Sequence, residues 1–126
     1  MTLAGHYRAC DRSGFTLPER YAHDLLRSLP HGATLVLDGD NETFLAAYAT
    51  RVEGYRTDLE LIHRRGHVFG DPYALRGVPR SKWAEVAHRV DLERMASSPQ
   101  PIYYATPPAD LIRAGVRFVS EGLVYR

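Results

Sequence analysis

The chain has 126 residues, enough for one domain and one hydrophobic core but not for two. With 44% hydrophobic and 25% charged residues it has the composition of a globular protein and not of a disordered one. A net charge of +1, from 16 basic and 15 acidic side chains, is too balanced for a nucleic-acid binder.

One cysteine, Cys10, permits no internal disulfide and no cysteine-rich zinc site. The longest apolar stretches, such as Phe44 to Ala49, fall far short of the roughly 20 residues that span a bilayer. Asp11 and Arg12 stand where a signal peptide would be apolar, so the chain alone is expected to be soluble.

Residues 1–17 show no sustained period and read as a lead-in. Helical spacing begins near Pro18, with Glu19 at the positive end of the dipole and Ala22, Leu25, Leu26 and Leu29 on one face. Pro30, His31 and Gly32 close it. Thr34 to Leu37 is an unbroken short run between glycines, the pattern of a strand covered on both sides. Asp38, Gly39, Asp40 and Asn41 follow, and Asp40 or Asn41 can cap the next helix. Leu45, Tyr48, Ala49 and Val52 form its expected inward stripe, and Gly54 its stop.

Leu59 to Ile62 reads as the second strand, and residues 64–80, with three glycines and two prolines, as a loop. A third helix starts near Ser81, with Trp83, Val86, Ala87 and Val90 on one face. Ile102 to Ala105 is the third strand. Thr106 and Pro107 open a short helix that turns Leu111 and Ile112 inward. Val116 to Val119 and Leu123 to Tyr125 are closing strands, arranged as a hairpin around Glu121 and Gly122. The alternation predicts a single α/β domain over residues 1–126. It has three layers, a small, mainly parallel sheet and helices on both faces, in the Rossmann-like manner. Ala22, Leu26, Leu45, Tyr48, Val52, Trp83 and Val86 are expected in one core.

The most distinctive stretch is Asp38-Gly39-Asp40-Asn41-Glu42-Thr43, beyond the carboxyl end of a strand, where open α/β sheets bind ligands. Its three acids can hold a hard cation through oxygen ligands, and Asp38 and Asp40 imitate the spaced aspartates that hold a metal-bound sugar nucleotide. The competing reading makes Asp40 or Asn41 a cap, Glu42 a partner of the helix dipole and Thr43 a solvent-facing residue. Arg56 can pair with Asp58 or Glu53 to hold a turn, or offer its fork to a carboxylate or phosphate.

The six histidines form no metal signature, because His63 and His67 lie at a strand end and in a loop. Ser13, Ser28, Ser81 and Ser120 lack a nucleophile elbow, and Cys10 lies in the unpatterned lead-in. Tyr103, Tyr104 and Tyr125 are expected to fill the sheet's faces. No catalytic residue, metal or cofactor is assigned.

Several blocks follow one another in a familiar order. They are Leu29-Pro30, Gly32-Ala33, Leu35-Val36-Leu37, Gly39-Asp40-Asn41-Glu42-Thr43-Phe44, Tyr48, Val52-Glu53-Gly54, Arg56 and Asp58. This resembles the soluble region that follows the membrane helices in bacterial relatives of the protein O-mannosyltransferases, the multispanning family called DUF2723. Tyr7-Arg8, Asp11-Arg12-Ser13, Pro101-Ile102-Tyr103-Tyr104 and Glu121 to Arg126 extend the likeness, with residues 64–98 least matched. Leu45 and Thr57 depart from it, standing where the family has proline.

The resemblance implies a noncatalytic accessory domain on the extracytoplasmic face of a bacterial membrane. Glycosyl transfer in that family is expected from acids of the membrane part with a lipid-linked sugar. The partners implied are the membrane-embedded part of the same parent protein and an acceptor protein or glycan. Two other readings stay open. One is a small metal-dependent enzyme or sugar-nucleotide binder built on Asp38, Asp40 and Glu42; the other is a free-standing interaction module.

Overall fold

A computed structural model describes Cys10, Asp11 and residues 13–126, so Tyr7, Arg8 and Arg12 lie outside the described residues. Helix α1, Leu17–Arg27, carries Pro18 in its first turn and buries Ala22, Leu25 and Leu26. Strand β1, Thr34–Leu37, is buried at all four positions, as an inner strand must be. Helix α2, Asp40–Arg51, leads to β2, Glu60–His63. A 3-10 turn, Arg80–Lys82, opens α3, Trp83–Ser97, which returns to β3, Ile102–Tyr104. Helix α4, Ala109–Arg113, precedes the short strands β4, Ser120–Glu121, and β5, Val124–Tyr125.

The sheet order is β2-β1-β3-β5-β4. β1 pairs in parallel with β2, Leu35 opposite Leu61, and with β3, Leu35 opposite Tyr103. β5 runs antiparallel to β3 and β4, forming the closing hairpin. Alternation along β1 divides the core between the faces. Leu35 and Leu37 join α1, α2 and Tyr103 on one side. Val36 packs with Tyr104 and Leu111 on the other, where Ile62 meets Tyr73 and Ala87. The fold is therefore α/β, with helices on both faces of a mixed sheet whose centre is parallel.

Four local expectations need correction. The buried stripe of α2 is Thr43, Ala46 and Ala49; Tyr48 and Val52 are 55% and 68% exposed, and Leu45 is half-buried. Small residues and a threonine let α2 lie close to α1, which turns the larger side chains outward. Trp83 and Val86 pack in a different cluster from Ala22 and Leu26, because α3 covers the opposite face. Ile112 is exposed while Leu111 is buried, since the short α4 presents only one position to the sheet. Val116 to Val119 is not a ladder strand: Val116 and Phe118 cover Tyr104, and only Val119 exchanges backbone bonds with Arg126 before β4 begins.

Candidate functional site at the carboxyl edge of the sheet

The connection leaving β1 leads to β2 on one side, and the connection leaving β2 returns to β3 on the other. This reversal leaves a crevice beyond the carboxyl ends of β1 and β3, the usual ligand position of open α/β sheets. The crevice is a cleft of about 540 Å³. Asp38 enters it from the end of β1, Arg64, Arg65 and His67 from beyond β2, Arg80, Trp83 and Ala87 from the start of α3, and Pro108, Asp110 and Arg113 from α4 and its approach.

The floor of the cleft is an ion-pair network around the buried guanidinium of Arg64. Its Nε donates to Asp91 Oδ2 at 2.7 Å, and Nη1 and Nη2 donate to the two carboxylate oxygens of Asp110 at 3.0 and 2.8 Å. The Tyr73 hydroxyl donates to the other Asp91 oxygen at 2.6 Å. Asp91 is fully buried, and burial pushes its carboxyl above the ordinary value despite the donors from Tyr73 and Arg64. Burial opposes charge on Asp110 too, but the Arg64 guanidinium outweighs it and holds that carboxyl low. His88 Nδ1 stands 3.5 Å from Asp110. These bonds tie the end of β2 to α3 and α4.

Sequence reasoning missed this network. Its signal was present: Asp91 stands four residues after Ala87, on a helix face otherwise given to the core. A carboxylate at such a position needs a buried partner.

The acidic stretch does not converge on one point. Asp38 accepts from Arg65 Nε at 2.9 Å at the cleft. Asp40 and Asn41 are exposed at the start of α2, and the cap is Gly39. The Gly39 amide donates to Glu42 Oε1 at 3.1 Å, the half of a capping box that glycine allows. Thr43, expected to face solvent, lies on the buried stripe of α2, and its hydroxyl is satisfied by donating to the Gly39 carbonyl at 2.6 Å. Asn41 and Glu42 line a separate groove with Leu17, Tyr21 and Phe44. Among the described residues no group of three or more His, Cys, Asp or Glu side chains is placed to hold a metal ion.

Arg56 and Asp58 lie at the opposite, amino edge of the strands. Arg56 Nε and Nη2 donate to the two Asp58 oxygens at 2.8 and 2.9 Å, and Nη1 donates to the carbonyls of Leu26 and Leu29 at 2.7 and 2.9 Å. Nη2 also reaches the Pro30 carbonyl, and Asp58 accepts from the Gly32 amide at 3.0 Å. The pair thus satisfies the carbonyls at the end of α1 and fixes the turn into β1. Arg56 and the Gly32 amide hold the Asp58 carboxyl well below the usual range.

No helix among the described residues is long and apolar enough to cross a membrane. No family model, curated protein or solved structure matches the chain.

Proposed function

We propose that the chain is a noncatalytic accessory domain of a membrane glycosyltransferase-like protein related to the protein O-mannosyltransferases. It works on the extracytoplasmic face of a bacterial membrane, packed against the membrane-embedded part of its parent.

One observation carries this reading: Glu42, Thr43, Arg56 and Asp58, in the blocks spanning 39–44 and 52–58, are spent on the fold, while Asp40 and Asn41 stand exposed. Gly39, Glu42 and Thr43 cap α2, and Arg56 and Asp58 clamp the end of α1. A pattern that specifies turns and caps marks a structural framework. The docking face is the groove between α1 and α2, where Phe15, Leu17, Phe44 and Tyr48 are each more than half exposed. Two depressions along it share Pro18 and Leu45, so the apolar surface is continuous.

The gene and its upstream reading frame test the proposal together. Hydrophobic spans are expected in frame before Met1. A photocrosslinking residue at Tyr21 or Tyr48 of the full parent is expected to join the domain to that membrane part. An upstream frame without spans overturns the reading, as does crosslinking only at sites outside the groove.

A further inference from the structure

The carboxyl-edge cleft has more cationic capacity than the fold consumes. Arg64 stands against two carboxylates, Asp91 and Asp110, and Arg65 against Asp38, so with Arg80 and Arg113 the arginines exceed the carboxylates by one. Arg80 and Arg113 also line the cleft, and among the described residues neither pairs with a carboxylate. They come from different elements, the 3-10 turn before α3 and the last residue of α4, so the fold brings their charges to one crevice.

The wall beside them is apolar. Leu75, Ala87 and the Trp83 ring line it, with the Arg80 guanidinium 5.5 Å from the ring centroid. The Trp83 indole N–H already donates to the Val78 carbonyl at 2.8 Å, which fixes the ring against the loop.

The geometry points to a binding site for a small organic phosphate in this cleft. The phosphate lies between Arg113 and Arg80, and its apolar or ring-bearing body lies against Trp83. Two guanidiniums on separate elements suit an anion with oxygens in several directions, better than a planar carboxylate gripped by one fork. A cleft of about 540 Å³ has the volume of an ordinary small-molecule site. Its place at the strand-order reversal is where such ligands bind in this class of sheet. The cleft shares no lining residue with the apolar groove between α1 and α2, so phosphate binding there does not depend on the accessory-domain reading.

Trp83 is the only tryptophan, so its fluorescence reports on the site alone. The full chain is titrated with phenyl phosphate, inorganic phosphate and phenol at constant ionic strength, with excitation at the red edge of the indole band. Phenyl phosphate is expected to give a saturable change at millimolar concentration, with inorganic phosphate and phenol each weaker. Arg113→Ala is expected to weaken phenyl phosphate by roughly tenfold, the loss of one charge-assisted contact. Arg113→Lys is expected to restore part of it, and Arg27→Ala, on the exposed surface of α1, to leave it unchanged. Matching melting temperatures for wild type and Arg113→Ala separate ligand loss from misfolding; if they differ, Arg80→Ala serves with calorimetry as readout. A response that does not saturate, is unaffected by both arginine variants, or is equal for inorganic and phenyl phosphate overturns the proposal.

Discussion

Arg64 donates its Nε to the fully buried carboxylate of Asp91 at 2.7 Å, while the rest of its fork is held by Asp110. The two carboxylates do not have equal consequences. Arg64→Met leaves Asp91 without its counter-charge in the core and is expected to cost about 3–5 kcal/mol in urea denaturation. Asp91→Asn keeps the shape and leaves Arg64 neutralised by Asp110, so it should cost less, about 1–3 kcal/mol. An equal loss in both variants would show that Asp110 does not share the charge.

Asp40 and Glu42 should separate as exposed and capping residues. Glu42→Ala removes the acceptor of the Gly39 amide and is expected to cost about 0.5–2 kcal/mol, as loss of a cap does. Asp40→Ala touches only the helix dipole and should stay within about 1 kcal/mol. Millimolar magnesium or manganese should leave the melting temperature of wild type unchanged. A rise with either ion that vanishes in Asp40→Ala would make the acidic stretch a working metal site and overturn the accessory-domain proposal.

The Arg56–Asp58 clamp predicts an acid transition. The native Asp58 carboxyl is held below its unfolded value, so its contribution is fully present above about pH 4. It is lost progressively as pH falls from there toward the native value. Wild type should therefore lose stability below about pH 4 more steeply than Asp58→Asn, which has no such carboxyl to protonate. Arg56→Lys should lower the denaturation midpoint at neutral pH, because one ammonium cannot serve both Asp58 oxygens and three carbonyls. Parallel acid profiles for wild type and Asp58→Asn would reject the clamp as a source of stability.

His63 predicts a second pH effect, nearer neutrality. Its Nδ1 accepts from the Arg65 and His67 amides at 3.3 Å each, so the neutral ring carries its proton on Nε2, which is buried with no hydrogen-bond partner among the described residues. Burial, then the neighbouring His67, pushes its pKa below the ordinary histidine value. The unfolded chain takes up this proton first, near pH 6.5, so stability falls as pH drops from there toward the lowered native value. His63→Asn offers an amide oxygen to the same two donors and does not titrate. Its stability should change less between pH 7 and pH 5 than that of wild type; an equal change would assign the effect to other histidines.

Residue spacing alone sets the order of the helices and main strands and the place of the central strand. Thr34 to Leu37 had to be inner, because an apolar run without alternation needs cover on both faces. The glycines and prolines of residues 64–80 similarly marked a loop, and the Arg56–Asp58 turn was visible as a local pair two residues apart. Tertiary structure decided the phase of α2. Leu45, Tyr48, Ala49 and Val52 and the observed Thr43, Ala46 and Ala49 are both acceptable helical stripes, and close packing on α1 chose the smaller side chains. It also decided the site. Arg64 meets Asp91 and Asp110 across 27 and 46 positions, a pairing no local spacing contains. Only the return of the chain to the far side of β1 brings those ends together, leaving Arg80 and Arg113 beside one cleft.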